Sequence, residues 1–295
     1  MPTISITKPP LIHAIDLGTS TPKLSGTIDI TSFISLTSFF CNDNAVVNFT
    51  DANPTVKTGL RFLSLNQNTL ASFPDTSDYT GLGYLFISNN AAALGAIPSN
   101  LPNGIVQLIL SNSGLSGEIP YGNLPSIPGV AQFSVANNPL LTGSVLNSDF
   151  TKNLNGLTLS NCSFTGSIPS LRWGTFSQRL ARFDANGNSL SAIEDPFVIY
   201  ATPTTVPVSN DLSLKEFRIH NNNIPKADIL RALQAFYVAF VVDNKPGVTA
   251  GMIRMDSQTP NAGIIDSDTL PDYTSITVLS ATQALAAKGF TNIIL

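Results

Sequence analysis

The sequence has few charged residues and little of the material from which most catalytic and metal sites are built. Asp, Glu, Lys and Arg make up 12% of its 295 residues, and no Lys or Arg occurs between Arg61 and Lys152. Because binding to phosphates needs clustered cations, this composition argues against nucleic-acid binding. The only histidines are His13 and His220, which leaves little for a metal site or a Ser-His-Asp triad. We therefore expect a protein that is not an enzyme and holds no metal or cofactor.

Long apolar runs and a secretion signal are missing as well. Although 43% of the residues are hydrophobic, no run reaches the roughly 18 residues of a membrane-spanning helix, so we expect no membrane insertion. Residues 1–8 show no basic stretch followed by an apolar core, which predicts that there is no secretory signal. Cys41 and Cys162 lie far apart, and either a disulfide or two buried thiols would be compatible with that spacing. We favour thiols, because both cysteines fall at apolar positions of the pattern described next.

What the sequence does contain is a repeat. The pattern L-x-x-L-x-L-x-x-N-x-L fits residues 60–70 and, with Cys and Phe in its last two places, residues 154–164. The starts of successive copies are separated by 24, 22, 23, 25, 24, 26 and 34 residues. The copies begin at Leu36, Leu60, Leu82, Ile105, Val130, Leu154, Leu180 and Leu214. A period of about 20 to 29 residues with this pattern is typical of leucine-rich repeats.

Each part of the pattern has a physical task. Two apolar residues two positions apart indicate a short strand with one buried face, and the Asn that follows can satisfy backbone groups where the chain turns. Because one repeat cannot bury its apolar face alone, successive repeats must stack. We predict an α/β solenoid, a curved leucine-rich-repeat fold with a parallel sheet on the concave side, a mostly irregular convex side and a C-terminal helical cap.

Segments of the form L-x-G-x-I-P follow several of the expected strands. They occupy residues 115–120 and 164–169, with a variant at residues 94–98. In this feature the chain closely resembles plant-type leucine-rich repeats, and the resemblance covers about residues 30–225. It implies a second short strand beside the main one and a role in recognition, without indicating a ligand. The chain departs from the plant ectodomains in lacking their paired-cysteine caps.

The pattern becomes helical after Pro225. Apolar residues recur at three- and four-residue spacing, which predicts a helix over residues 226–242. We expect a further strand near Ile253 and Met255, a second helix that starts after Ser280 and ends at Gly289, and a final strand over residues 291–295.

These patterns divide the chain into three regions. Residues 1–30 carry apolar residues in loose alternation and form either an N-terminal cap or an arm that docks on a neighbour. Residues 31–225 are the repeats, and residues 226–295 are a C-terminal repeat with a helical cap.

The C-terminal region carries a second resemblance. Residues 253–256, 258–262 and 285–291 are similar to the closing segment of leucine-rich-repeat proteins found in bacteriophage particles and related bacterial genes. This resemblance implies a non-enzymatic virion structural or host-recognition protein on a tail, baseplate or capsid surface. Its partners would be other virion proteins or a host surface molecule, with a homo-oligomer as a further option. The alternative is a cellular leucine-rich-repeat binding module, extracellular or cytoplasmic, that recognises a protein or a glycan.

The outward residues of the strands predict the binding surface. Parallel strands about 4.8 Å apart place the same position of successive repeats side by side. One such group, the aromatic patch, consists of Phe40, Phe62, Tyr84, Phe86 and Ile109. Because exposed aromatic clusters usually mark contacts, we predict that this patch binds a partner. The alternative is that an arm or loop of the same chain covers it.

Two further groups follow from the same alignment. The charged patch consists of Arg182, Asp184, Glu216, Arg218 and His220, and we predict partner contacts at Arg182, Asp184 and Arg218. The amide ladder consists of Gln67, Asn89, Asn112, Asn137 and Asn161, whose side chains could bond to one another or to sugars. Clustered oxygens at Asp256, Asp266 and Asp268, near Asn261, would suit calcium, but aspartates are equally common in turns, which is the interpretation we favour.

Overall fold

The computed structural model describes residues 12–18, 21–90, 93–121, 130–145, 154–168, 181–194, 215–242, 248–259 and 263–295. The chain forms two compact units, Met1–Thr142, called unit 1, and Gly143–Leu295, called unit 2.

Unit 1 is built from short parallel strands and one short helix, α1 (Pro54–Gly59). Its strands are β1 (Ala14–Asp16), β2 (Ser25–Asp29), β3 (Ser38–Phe40), β4 (Ala45–Thr50), β5 (Phe62–Ser64), β6 (Tyr84–Phe86), β7 (Gln107–Ile109), β8 (Ser116–Glu118), β9 (Gln132–Ser134) and β10 (Leu140–Thr142). The main sheet has the order β1-β3-β5-β6-β7-β9, and smaller parallel pairs join β2 to β4 and β8 to β10.

The register of the main sheet in unit 1 follows the repeat pattern. The central residue of each strand lies opposite the central residue of the next, and all of these except that of β1 are exposed by 1% or less. From β3 onward they are Phe39, Leu63, Leu85, Leu108 and Phe133. Burying a side chain of this size contributes about 1.5–3 kcal/mol, so the inward positions supply the core. The flanking residues of each strand are left on the opposite face.

Unit 2 repeats this plan and adds the C-terminal helices. Its strands are β11 (Gly156–Thr158), β12 (Thr165–Ile168), β13 (Arg182–Asp184), β14 (Ser189–Ile193), β15 (Glu216–Arg218), β16 (Gly251–Arg254), β17 (Thr269–Leu270), β18 (Tyr273–Thr277) and β19 (Phe290–Ile294). The main sheet has the order β11-β13-β15-β16-β19, with a parallel pair of β12 and β14 and an antiparallel pair of β17 and β18. The predicted architecture of stacked parallel strands, one to a repeat, is confirmed.

The L-x-G-x-I-P segments form the second strands that they imply. The segment at residues 115–120 contains β8, and the segment at residues 164–169 contains β12. The variant at residues 94–98 forms only a single bridge, from Gly95 to Leu115.

The helix predicted over residues 226–242 is present, and a second one follows it nearer the C-terminus. Helix α2 (Lys226–Tyr237) is α-helical for twelve residues and then widens into a π-turn at Val238–Val242. The ring centroid of Phe236 lies 5.5 Å from that of Phe217 on β15 and 5.8 Å from that of Phe290 on β19. Helix α2 therefore covers the apolar side of this sheet. Helix α3 (Val278–Ala287) begins earlier than expected, because Thr277 Oγ1 caps it by accepting from the Ser280 amide at 3.2 Å.

At the N-terminal end, β1 extends the sheet of unit 1 by pairing with β3. Of the predicted cap or arm over residues 1–30, residues 1–11 and 19–20 lie outside the described residues.

The amide that recurs in the repeat pattern points inward and forms hydrogen bonds with backbone groups. In the second repeat, Asn68 Nδ2 donates to the carbonyls of Cys41 at 2.7 Å and Leu65 at 3.1 Å, while its Oδ1 accepts from the Val46 amide at 3.1 Å. One side chain therefore ties two successive repeats together. The inner amides that bind in this way are Asn44, Asn68, Asn90, Asn138, Asn188, Asn222 and Gln258.

The outer amide ladder has a conformational explanation. Every member has a positive φ, from 53° at Asn112 to 60° at Asn137. Apart from glycine, Asn and Asp adopt this left-handed region most readily, so the turn itself selects these residues and no ligand is required to explain them. Within the ladder, Asn112 Nδ2 donates to Asn89 Oδ1 at 2.9 Å, as expected for amides that bond to one another.

Both cysteines are buried free thiols, as the repeat pattern predicted. Burial raises the pKa of the Cys41 thiol to about 11. Since the thiolate is the reactive form, we expect neither cysteine to react with a disulfide reagent at pH 8 in the folded protein, and both to react once it is unfolded in denaturant. Absorbance of the released chromophore measures this. Rapid labelling of one thiol per chain without denaturant would contradict the expectation.

Candidate functional site

The aromatic patch lies on the outward face of unit 1, over strands β3 to β7. Phe40 and Phe86 flank Ser64 in the register, so the small Ser64 leaves room above it. The ring of Phe62 fills this room, with centroid distances of 4.7 Å to Phe40 and 5.1 Å to Phe86. On the neighbouring strand Tyr84 stacks against Phe62 at 5.3 Å with 17° between the ring planes. The residues predicted from the sequence thus come together in the structure, with Phe62 at their centre.

Exposure within the patch is uneven. Tyr84 is 37% exposed, whereas Phe40, Phe62, Phe86 and Ile109 are half-buried. Phe62 is half-buried because it is stacked against Tyr84 and lies beside Phe40 and Phe86. Each pair of aromatic rings in such contact stabilises the fold by about 0.5–1.5 kcal/mol, in addition to the effect of the apolar area it buries. The rings of the patch are therefore held in place before any partner binds.

The strands that carry the patch present few charges. The outward residues of β3, β5, β6, β7 and β9 are Ser, Gln, Phe, Tyr and Ile only. Beneath the rings the hydroxyls bind one another or amides, as when Ser64 Oγ donates to Asn42 Oδ1 at 2.7 Å. On β1 the exposed carboxylate of Asp16 lies opposite Phe40 and accepts from the Gly18 amide at 2.9 Å. This face therefore offers apolar area with a hydrogen-bonding rim that is neutral on β3 to β9 and carries one carboxylate on β1.

The charged patch lies on the outward face of unit 2 and is largely neutralised internally. Arg182 and Arg218 each approach both Asp184 and Glu216, with nitrogen to oxygen distances of 3.3 to 3.5 Å. The four side chains form a closed ring of alternating charge. Surface ion pairs of this geometry contribute about 0–1 kcal/mol each to the free energy of unfolding. The ring therefore fixes the orientation of its four side chains more than it stabilises the fold.

Asp184 corrects the prediction of an exposed carboxylate. Its side chain is only 4% exposed, because the two arginines of the ring lie over it and Asn186 donates to it from below. The side chains of Arg182 and Arg218 remain 44% and 27% exposed. Of the three residues predicted to contact a partner here, only the two arginines are accessible.

The further strand predicted near Ile253 and Met255 is β16, but its outward residues were not included in the predicted site. They are Met252 and Arg254, which lie beside the charged patch, and Arg218 Nε lies 3.0 Å from Met252 Sδ. The signal that aligns this repeat with the others is Gln258, which stands where most other repeats have Asn. Its Nε2 donates to the Met255 carbonyl at 2.8 Å, as the inner asparagines do.

Two of the three aspartates considered for calcium are engaged elsewhere. Asp268 Oδ1 is 2.7 Å from Lys226 Nζ, and this contact lowers the pKa of Asp268. Asp256 Oδ1 accepts from Arg254 Nε at 2.9 Å. Asn261 lies outside the described residues, and among those described no group of three or more His, Cys, Asp or Glu side chains could hold a metal ion. No helix in the described parts of the chain is long and apolar enough to cross a membrane.

No protein-family model and no curated protein matches the sequence. Solved structures match the fold. The Arabidopsis receptor kinase HAESA, in complex with the peptide hormone IDA and the co-receptor SERK1, shares 18% identity over 84% of this chain and 42% of its own, with a TM-score of 0.53. A TDR receptor shares 19% identity over 76% of this chain and 42% of its own, also with a TM-score of 0.53.

The plant peptide hormone receptor RGFR1 in complex with RGF2 shares 20% identity over 74% of this chain and 38% of its own, with a TM-score of 0.50. The chain thus spans about two fifths of the length of these structures. Another structure of HAESA is described as its leucine-rich-repeat ectodomain. At these identities the likeness concerns the fold, and the fold of this chain is that of leucine-rich-repeat proteins.

Proposed function

We propose that this chain is a leucine-rich-repeat binding module that recognises a protein partner through the outward face of unit 1, with the aromatic patch as its main contact. The observation that carries the proposal is the cluster of three aromatic rings around Phe62 on a face whose other residues are small or polar. Aromatic residues that remain partly open to solvent are enriched where proteins bind one another.

The geometry favours a protein segment over a glycan. A sugar packs its apolar face on an open ring face, but Phe62 is stacked on Tyr84 and also has Phe40 and Phe86 beside it. The clustered rings and the aliphatic Ile109 suit the irregular apolar side chains of a peptide. Because none of the outward residues of β3 to β9 in the main sheet is charged, the matching segment should be uncharged. The HAESA and RGFR1 structures hold peptide hormones, which supports a peptide as the class of partner.

We expect the double substitution Phe62→Ala with Tyr84→Ala to weaken partner binding by at least about thirtyfold, because residues at the centre of an interface typically contribute 2 kcal/mol or more. The partner would be captured by cross-linking in the source cells, identified by mass spectrometry, and titrated against both proteins by calorimetry. Gln132→Ala is the matched control, since Gln132 is exposed on the same face beyond the patch.

The control should change the dissociation constant by less than about threefold. Circular dichroism should show that all three proteins keep the same fold. Unchanged affinity in a folded double variant would refute the role of the aromatic patch.

The charged patch is a separate proposed contact. Arg182 and Arg218 are accessible, but a charged partner would have to compete with Glu216 and Asp184 for them. We therefore expect binding at this patch to weaken as salt is added, unlike binding at the uncharged aromatic patch.

A virion component is the second candidate function. The similarity of residues 253–256, 258–262 and 285–291 to phage proteins is the observation that favours it, and none of the three solved structures described above is of a virion protein. Mass spectrometry of purified phage particles separates the two functions.

A further inference from the structure

His220, the fifth member of the charged patch, lies outside the ring formed by the other four side chains. It follows strand β15 by two residues and is only 8% exposed. The pairing of Asp184, Arg218 and Arg254 across β13, β15 and β16 places Asn186 on one side of His220 and Asp256 on the other. Within the described part of the chain, the buried Nδ1 of the imidazole ring has no hydrogen-bond partner. A proton added at this nitrogen would have no acceptor in place, which disfavours the charged form of the imidazole ring.

The charges that face His220 are already paired. Arg218 contacts Asp184 at 3.5 Å, and Arg254 Nε donates to Asp256 at 2.9 Å. Asp256 also accepts from Ser257 Oγ at 2.9 Å. Burial is the main cause that lowers the pKa of His220, and Arg254 adds to it, while Asp256 and Asp184 oppose it. Both nearby carboxylates are already shared with arginines, so a protonated ring would compete with an arginine for either of them.

We infer that the charged patch is an acid-responsive device in which proton uptake by His220 breaks an ion pair beside it and loosens the outward face of β15 and β16. Protonation leaves two outcomes for the ring. It either takes Asp256 or Asp184 from an arginine, or it moves out to solvent. In both cases the surface at Arg218 and Arg254 differs between neutral and mildly acidic solution, which would make contacts there depend on pH.

The sign of the effect follows from linkage. A histidine whose pKa is lower in the folded than in the unfolded protein binds protons more readily when unfolded. Its neutral form therefore supports the full stability above about pH 6.5, and stability is lost as the pH falls below that value. Local opening of the outward face of β15 and β16 should therefore also increase as the pH falls below about 6.5.

The first test is the titration of the His220 ring in the folded chain by NMR. The chain has only two histidines, so a His13→Gln variant assigns the resonances. We expect the His220 resonance to titrate below about 6.5. A His220 resonance that titrates at or above that value would overturn the inference, and this measurement needs no variant of His220.

The second test is amide hydrogen exchange at residues 215–221 and 252–257 between pH 7 and 5. In the wild-type chain, protection relative to the intrinsic rate should fall by at most about tenfold per pH unit below about 6.5. His220→Asn is the matched variant, because Asn42, Asn66 and Asn186 occupy the same position of other repeats. In His220→Asn the protection should not change with pH. The same pH-dependent loss in both proteins would show that another group is responsible.

Discussion

Replacing Gly289 by alanine should destabilise the C-terminal part of unit 2 by about 2–5 kcal/mol. Gly289 has a φ of 95°, and an added Cβ would lie 1.7 Å from the carbonyl oxygen of Val248. The backbone cannot easily move away, because the Gly289 amide donates to Ala286 and its carbonyl accepts from Gly251, both at 2.9 Å. Relief of the clash would therefore separate β16 from β19. Urea unfolding followed by circular dichroism measures the loss.

Gly263→Ala is the control for this experiment. Gly263 also has a positive φ, of 57°, but an added Cβ there would meet nothing within 4 Å. Only the backbone conformation is penalised, so we expect a loss of about 1–2 kcal/mol. The difference between the two variants measures the steric part. Equal losses would mean that the Val248 carbonyl is not the obstacle that the geometry indicates.

We expect Asn138→Ala to lower the free energy of unfolding of unit 1 by about 3–5 kcal/mol. Asn138 is fully buried, and its Nδ2 donates to the carbonyls of Leu110 at 3.1 Å and Val135 at 2.7 Å. Its Oδ1 accepts from the amides of Ser113 and Leu115, both at 3.0 Å. Alanine would leave these backbone groups buried without partners, and each such group costs about 1–3 kcal/mol.

The comparison for this substitution is Asn48→Ala on β4, where the side chain is exposed. Its effect should stay within about 0.5 kcal/mol. Thermal and urea unfolding measure the stability of both variants. Asn48→Ala shows the effect of losing any Asn side chain, and the further loss in Asn138→Ala is due to the buried hydrogen bonds. A loss below about 1 kcal/mol in Asn138→Ala would show that water or a local shift replaces the bonds.

The main strands were predictable because their signal is local and repeated. In each copy the inward pair recurs at fixed spacing, and in six of the eight copies an inner Asn follows it. In the second copy this pair is Leu63 and Leu65, and both are fully buried. The strand at β16 was predicted, but its outward residues were not aligned with those of the other repeats, because Met255 and Gln258 replace the usual Leu and Asn. Gln258 still reaches the same kind of carbonyl, since one more methylene group is accommodated by the turn.

The membership of the aromatic patch followed from strand register alone, but its burial did not. Alignment shows that Phe62 and Tyr84 are neighbours, whereas the space over Ser64 that admits the Phe62 ring depends on side-chain conformation. Asp184 illustrates the same limit. Its position in the sheet was correct, yet its exposure is set by how Arg182 and Arg218 lie across it. Long side chains on adjacent strands can cover a short one, and sequence spacing alone does not reveal this.

The stacking of repeats makes the aromatic patch a discontinuous epitope. The ring of Phe62 contacts the rings of both Phe40 and Tyr84, although each of these residues is 22 positions away from it in the chain. No short synthetic fragment of this chain can contain the contact surface, and proteolytic cleavage that unravels a single turn of unit 1 would dismantle it. An antibody against this surface would recognise the folded chain and fail on a denaturing blot, which makes such a reagent a reporter of folding as well as of binding.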